Sequence, residues 1–313
     1  MQANFIKLQP IDMDAVRPFW SVIIPTYNCA NYLKETLESV LQQDPGENHM
    51  EIIVVDDHST KDHPETVVQE LGKGRVQFIQ QKENVGKVKN YETGLQASKG
   101  TYIHLLHGDD KVRPGFYAEM EEVFKQFPDA GAAFCRSIYI DEQSRWTGMT
   151  GMVQDTEGIV PDMAAKLYTE QHIQTPSMVV KREVYEELGT FDRRLNCFED
   201  WEMWIRIANS YPVTVSNQVL ALYRSHSANA THQTFQDDSA LQTHKLACDI
   251  IDGYIQPDIK QKNMRLRSQK QAVFLLLSYK KQKSKLKLVI KFKMIKKILR
   301  DSFSLKTIYH LIR

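Results

Sequence analysis

Residues 51–60 read EIIVVDDHST and residues 101–110 read TYIHLLHGDD. Each is a short apolar run that stops on two consecutive aspartates, Asp56-Asp57 and Asp109-Asp110. Apolar residues at consecutive rather than alternate positions describe a strand buried on both faces. In open parallel sheets ligands bind beyond the carboxyl ends of the strands, so the two acidic pairs stand where a site is expected.

The same pattern extends outward. Phe19–Ile24, closed by Pro25, and Arg75–Ile79 read as further strands, and Asn31–Leu41, Pro64–Leu71 and Lys87–Ala97 as the helices between them. A helix over Pro114–Phe127 and strands over Ala132–Cys135, Ser177–Val180, Val213–Val215 and Val219–Tyr223 follow, with helices over Arg182–Leu188 and Asp200–Asn209. Strands alternating with helical segments predict an α/β fold, a mostly parallel central sheet flanked by helices. From Tyr139 to Val160 the periodicity dissolves into a glycine-bearing stretch with Trp146, Met149 and Met152, readable as a binding loop or as an ordinary surface excursion.

The chain has 313 residues, 42% of them hydrophobic, with 40 Lys+Arg against 39 Asp+Glu. That length and balance support a large core and exclude a disordered or fibrous chain. Cys29, Cys135, Cys197 and Cys248 are widely spaced and form no CxxC, which argues against a disulfide scaffold or a cysteine-built zinc site and for a reducing compartment. The opening MQANFIKLQP lacks the apolar run of a signal peptide, and no stretch approaches the about 20 apolar residues of a membrane span, so a cytoplasmic location is expected.

The net charge of +1 conceals two opposed parts: Met1–Tyr254 holds 23 basic and 37 acidic side chains (−14), Ile255–Arg313 holds 17 and 2 (+15). Residues 1–230 are read as one domain and 231–313 as a basic helical C-terminal region. In the latter, Leu288, Phe292, Ile295, Leu299 and Phe303 fall at helical spacing, with Lys293, Lys296, Lys297 and Arg300 on another side. Such a helix suits an anionic membrane surface, here the inner face of the plasma membrane, or else the acidic body or a second subunit. Nucleic acid is not an expected partner, because the tail has no base-reading or stacking module.

Neither GxxxxGK[ST] nor GxGxxG occurs. Asp109 and Asp110 offer hard oxygen ligands to Mg²⁺ or Mn²⁺, ions that neutralise a diphosphate. Asp56 and Asp57 would share a ligand with them if their strands were neighbours. Turn formation and helix capping are the ordinary alternatives for both pairs. Asp200, in Glu199-Asp200-Trp201-Glu202, reads as a cap or a catalytic base, and His226, after Tyr223-Arg224-Ser225, as a loop residue or a ligand to metal or phosphate.

With these residues in view, the first 230 positions resemble a family 2 glycosyltransferase of the GT-A fold, of the bacterial polysaccharide-biosynthesis type. The family's Pro-x-Tyr-Asn is matched by Pro25-Thr26-Tyr27-Asn28, its Asp-Asp-x-Ser-Thr by Asp56 to Thr60, and its Glu-Asn-x-Gly by Glu83 to Gly86, with Lys89 and Asn90 after it. Gly189-Thr190-Phe191-Asp192, Glu199-Asp200 with Trp204, and Tyr223-Arg224-Ser225-His226 complete the order. The family's Asp-x-Asp-Asp is here His107-Gly108-Asp109-Asp110, a departure that leaves His107 open between a ribose contact, a metal contact and neither.

The resemblance implies transfer of a sugar from a nucleotide-diphospho-sugar donor, UDP-sugar favoured, to a saccharide or lipid-linked acceptor, with inversion and with Mn²⁺ or Mg²⁺ as cofactor. It implies that Pro25 and Tyr27 border the base, that Asp57 accepts from the base edge and that Asp56 supports the strand end. Lys89 would lie near the nucleotide, Asp109 would reach ribose or metal, Asp110 would serve metal and diphosphate, and His226 diphosphate or metal. Asp200 would be the general base and Glu199 an orienting neighbour. A single displacement needs no enzyme nucleophile, in keeping with the lack of a Ser-His-Asp or Cys-His signal.

Overall fold

Trp20–Thr26 (β1), Met50–Asp56 (β2), Gln77–Gln80 (β3) and Tyr102–Leu105 (β4) lie side by side, all parallel, in the order β3-β2-β1-β4. These strands belong to a computed structural model that describes residues 4–12, 16–227, 229, 234 and 239–281. The amphipathic helix expected around residues 288–303 lies outside the described residues.

β1 is buried at every position and β2 at all but Glu51, as unbroken apolar sequence requires. Because successive side chains point to opposite faces, Val22, Ile24, Ile52 and Val54 enter one core, against Leu33 and Leu37 of Ala30–Leu41 (α1), Val68 of Pro64–Gly72 (α2), and Phe116, Met120 and Phe124 of Phe116–Gln126 (α4). Ile23, Ile53 and Val55 enter the other, against Val88, Tyr91 and Leu95 of Lys87–Ala97 (α3) and Trp204 of Glu199–Ala208 (α7).

Lys111–Val112 (β5), Ala132–Ile140 (β6), Trp146–Met149 (β7), Gly158–Ile159 (β8), Met178–Lys181 (β9) and Val213–Arg224 (β10) extend the sheet in the order β4-β9-β6-β10-β5, with β7 on β6 and β8 on β10. β9 joins the halves antiparallel to β4 and β6, while β10 runs parallel to β6. The two strands expected at 213–215 and 219–223 are one, bulged where Ser216-Asn217-Gln218 interrupts the apolar pattern. The stretch expected to be loop contains β7, exposed at all four residues. With neither face buried, no alternation marks it.

Met163–Thr169 (α5), Arg182–Leu188 (α6), Ala240–Ile251 (α8) and Pro257–Lys281 (α9) complete the fold. Ala247, Ile250, Ile251 and Ile255 join the core that holds Trp201 and Trp204. The Arg267 guanidinium lies 4.3 Å from the Tyr168 ring centroid and bonds Asp252, and Lys270 pairs with Glu170 at 2.7 Å. Acidic groups of the body thus hold the described start of the basic region. Cys29, Cys135, Cys197 and Cys248 form no disulfide, and no described helix is long and apolar enough to cross a membrane.

Two contacts carry this architecture to the strand ends. A Cβ on Gly94 would stand 2.3 Å from Ile23 Cγ2 and 3.1 Å from Val55 Cγ2, so only glycine lets α3 lie this close to β1. His104, with no exposed surface, lies 3.0 Å through Nε2 from the Pro176 carbonyl and 3.2 Å through Nδ1 from the Tyr117 hydroxyl. The neutral imidazole donates to the first and accepts from the second, tying β4 to the turn Thr175–Ser177. Burial lowers its pKa from 6.5 to about 4.

Gly94→Ala gains about 1 kcal/mol of helix propensity but overpacks a close contact, which costs about 1–3 kcal/mol. A lower melting temperature is expected, and a higher one would show slack between α3 and β1. Between pH 6.5 and 4 the unfolded chain binds a proton that folded His104 refuses, so stability falls as pH drops through that window. By pH 5 this one group removes about 2 kcal/mol. Denaturant unfolding at pH 7 and pH 5 reads the loss, which His104→Gln should diminish.

Candidate active site

The first acidic pair builds a wall. Asp56, fully buried, accepts from the Ser59 amide at 3.0 Å, the Ser59 hydroxyl at 2.5 Å and Gln80 Nε2 at 3.2 Å. Asp57 accepts from the Val85 amide at 2.7 Å and the Gly86 amide at 3.1 Å, fixing the turn that starts α3. Burial raises its pKa, and these two amides only partly offset that. Asn28 Oδ1 accepts from the Thr60 and Lys61 amides, and the Asn28 amide donates to Ser59 Oγ. The segment carrying buried Pro25 and half-exposed Tyr27 is thereby locked to the segment after β2. Because β1 runs between β2 and β4, Asp56 and Asp57 are not on the strand next to Asp109 and Asp110.

The second acidic pair is a different object. Gly108 passes so close to β1 that a Cβ would stand 3.1 Å from Thr26, and the tight loop brings ligand atoms of His107, Asp109 and Asp110 within 4.8 Å of one another. Asp110, 1% exposed, accepts from the Arg224 amide through Oδ1 at 2.8 Å, while its buried Oδ2 accepts no hydrogen bond. His226 Nε2 lies 2.9 Å from Asp109 Oδ2. His107 Nε2 lies 3.0 Å from the Tyr91 hydroxyl and Nδ1 3.5 Å from Asp110 Oδ2.

Burial and the charge of Asp109 lift Asp110 to about 6, against the opposing influence of the neighbouring His107. Burial also pushes Asp109 upward, but the His226 bond and the charges of His107 and His226 outweigh it and hold Asp109 below its ordinary value. For His107 burial alone would lower the pKa; Asp110 and Asp109 reverse the direction. An orphaned carboxylate oxygen beside a second carboxylate and an imidazole is a donor set that fits a divalent cation.

Arg224, with no exposed surface, anchors this loop. Nε donates to the Asp109 carbonyl at 2.8 Å, one terminal nitrogen to Ser144 Oγ at 3.0 Å and the other to Glu35 Oε2 at 3.1 Å, and the guanidinium lies 4.5 Å from the Tyr32 ring centroid. Lys111 completes the pairing of Glu35 at 2.6 Å. Burial would raise the Glu35 carboxyl, but Lys111, Ser144 and Arg224 bring it down to about 2.

The third acidic position opens α7. Asp200 accepts from the Trp201 amide at 2.7 Å, from Thr175 at 3.2 Å and from Gln171 at 3.3 Å. Buried Glu199 pairs one oxygen with Lys87 Nζ at 2.7 Å and leaves the other without a hydrogen bond. Successive helical residues diverge by about 100°, which separates these two carboxylates. Burial and then the Glu199 charge raise the pKa of Asp200, with Lys87 opposing.

Lys89, expected near the nucleotide, is exposed on α3; Lys87, which the motif reading does not single out, is the residue that faces Glu199. Lys87 did carry a signal: a cation in the first turn of a helix opposes the helix dipole unless an anion stands close by. Tyr91, one turn on, feels both acidic groups; burial and then the charges of Glu199, Asp200, Asp109 and Asp110 raise its pKa well above 10. The His107 cluster and the Asp200 carboxylate therefore flank one region, beside the α3 N-terminus.

The glycosyl transferase family 2 model matches residues 21–189. An uncharacterized glycosyltransferase of Rickettsia typhi is 27% identical over 218 residues, 69% of this chain and 66% of that protein, so the matched part is just under two thirds of the relative's length. Among solved structures, Staphylococcus aureus TarS 1–349 in complex with UDP-GlcNAc superposes with a TM-score of 0.59 at 18% identity, over 91% of this chain and 73% of that one. The mannosyltransferase PcManGT from Pyrobaculum calidifontis, in complex with GDP-Man and Mn²⁺, gives 0.62 at 18% identity, over 90% and 77%. At such identities these two likenesses establish the fold, which is of GT-A type with a helical C-terminal extension. The motif order, the acidic strand ends and the family match agree: this chain belongs to glycosyl transferase family 2.

Proposed function

We propose that the chain transfers a glycosyl group from a nucleoside-diphosphate sugar to an acceptor hydroxyl by single displacement with inversion, Asp200 taking the proton. The observation that carries this reading is the contrast between two carboxylate sites beside one α3 N-terminus. His107, Asp109 and Asp110 form a donor set with an orphaned buried oxygen, whereas Asp200 is a single carboxylate of raised pKa aimed by Trp201, Thr175 and Gln171.

Asp109, Asp110 and His107 would hold a divalent ion. When bound, that ion supplies positive charge against the negative charge building on the departing diphosphate. The wall of Pro25, Tyr27, Asn28 and Asp57 suits a nucleotide base. Asp200, more basic than an exposed aspartate, is the better matched to accept a hydroxyl proton near neutral pH. Lys87 neutralises Glu199, and so limits the like charge that would otherwise keep Asp200 protonated. UDP-GlcNAc in TarS and GDP-Man with Mn²⁺ in PcManGT support the donor and ion classes, with a UDP-sugar the first to try.

For the acceptor we assign the β6–β7 hairpin. Trp146 and Met149 of the hairpin and Met152 just after it are each more than half exposed, and Tyr139, paired with Gly148 within the hairpin, accepts from Gln174 at 3.4 Å, next to Thr175 and thus to Asp200. An aromatic and thioether platform suits a sugar face or a lipid-linked saccharide. The +15 charge of Ile255–Arg313 supports peripheral association of a cytoplasmic enzyme with an anionic membrane.

A donor-by-acceptor screen read by nucleoside diphosphate release tests the activity; no release with any donor, including slow hydrolysis, would count against it. Asp200→Asn should lower kcat by roughly 10² to 10⁴ with nucleotide affinity within a few fold, and near-native turnover would remove Asp200 as base. Trp146→Ala should raise the acceptor KM while calorimetry finds nucleotide affinity unchanged. An equal loss of nucleotide affinity would place the hairpin elsewhere.

A further inference from the structure

We infer that His107 is a direct nitrogen ligand of the divalent cation, through Nδ1, and that it biases the site away from Mg²⁺ toward ions that favour imidazole, such as Co²⁺. This rests on the reading of His107, Asp109 and Asp110 as the cation site and adds the ligating nitrogen of His107 and its consequence for ion choice.

Two histidines border Asp109 and Asp110, and their geometry differs. His226 Nε2 is 2.9 Å from Asp109 Oδ2, an ordinary hydrogen-bond length, so that nitrogen is engaged by the carboxylate it faces. His107 Nδ1 is 3.5 Å from Asp110 Oδ2, too long for a useful hydrogen bond. The carboxylate oxygen on the other side of that gap is buried and accepts no hydrogen bond. An imidazole nitrogen and an orphaned carboxylate oxygen face one another, and ligand atoms of His107, Asp109 and Asp110 lie within 4.8 Å of one another, three donors that one cation would share.

The far side of the ring supplies a separate argument. His107 Nε2 lies 3.0 Å from the hydroxyl of Tyr91, whose ring stacks on the imidazole at 5.4 Å and 23°. With Nδ1 on a cation, Nε2 must carry the proton, and the Tyr91 oxygen is placed to accept it. A ligating histidine whose other nitrogen donates to a fixed oxygen is held in the required tautomer and orientation. Tyr91 is 5% exposed and anchored in the core with Phe191 and Leu95, so it is a positioning residue for His107.

Donor type then sets preference. Three carboxylates would favour a hard ion such as Mg²⁺, whereas an imidazole among two carboxylates gains affinity along the series from Mn²⁺ toward Co²⁺ and Ni²⁺. The test is pulsed EPR on the full chain loaded with Mn²⁺ alone and with Mn²⁺ plus UDP or GDP, joined to competition between Co²⁺ and Mg²⁺. Directly bound ¹⁴N should be detected in the native protein and in His226→Gln and be lost in His107→Gln. His107→Asp should lower the Co²⁺/Mg²⁺ affinity ratio at least about tenfold. Tyr91→Phe should retain the nitrogen coupling while weakening Mn²⁺ binding about tenfold. Thermal melts establish that each variant folds. Mn²⁺ bound without nitrogen coupling, coupling lost only in His226→Gln, or an unchanged ion ratio would overturn the inference while leaving the cation site intact. A folded native protein that binds no Mn²⁺, alone or with either nucleotide, would overturn both.

Discussion

A guanidinium with no exposed surface is costly unless its nitrogens find partners, and all three nitrogens of Arg224 do so by gathering distant parts of the chain around the acidic loop. Its partners are the Asp109 carbonyl, the Asp141 carbonyl, Ser144 and Glu35, with Tyr32 beneath it. Its own amide holds Asp110 Oδ1. Removing one partner from a buried ion pair strands the other charge, which is why such networks tend to be kept or lost as a unit. Here the network spans α1, the end of β10 and the β6–β7 turn. The position of Asp109 and Asp110 relative to the hairpin that carries Trp146 follows from this one residue.

The same requirement, that buried charge be compensated, explains the opposite side of the site. Glu199 begins α7 and is neutralised by Lys87 at the start of α3, and α3 reaches that position because Gly94 lets it lie against Ile23 and Val55. The compensation is incomplete by design of the sequence: one oxygen of Glu199 and one of Asp110 remain without hydrogen bonds. Most buried polar groups in folded proteins are satisfied, so unsatisfied oxygens on both sides of Tyr91 mark the region where a charged ligand would complete the structure.

Much of this was readable from residue order alone, for physical reasons that also mark the limit. EIIVV and SVII are buried on both faces, so their composition announces strands, and the aspartates and Pro-x-Tyr-Asn at their ends are where an α/β sheet presents ligands. Trp146–Met149 pairs with β6 while exposing every residue, and a strand with no buried face has no pattern to read. Met163–Thr169 is two turns long, too short for a helical period to declare itself. The pairing of Lys87 with Glu199 depends on which side of α3 faces α7, a tertiary fact that no local pattern carries. Arg224 was visible only as part of Tyr-Arg-x-His; nothing local to it shows that it is buried or that it meets Glu35, 189 positions away in sequence.

The proposed single displacement needs one carboxylate, Asp200, to remove the acceptor proton as the diphosphate leaves from the other side, with no covalent intermediate. Stereochemistry tests this most directly. Proton NMR of the freshly formed product, with a donor of known anomeric configuration, should show the opposite configuration at the transferred sugar. Retention of the donor's configuration would contradict the single displacement and the role assigned to Asp200.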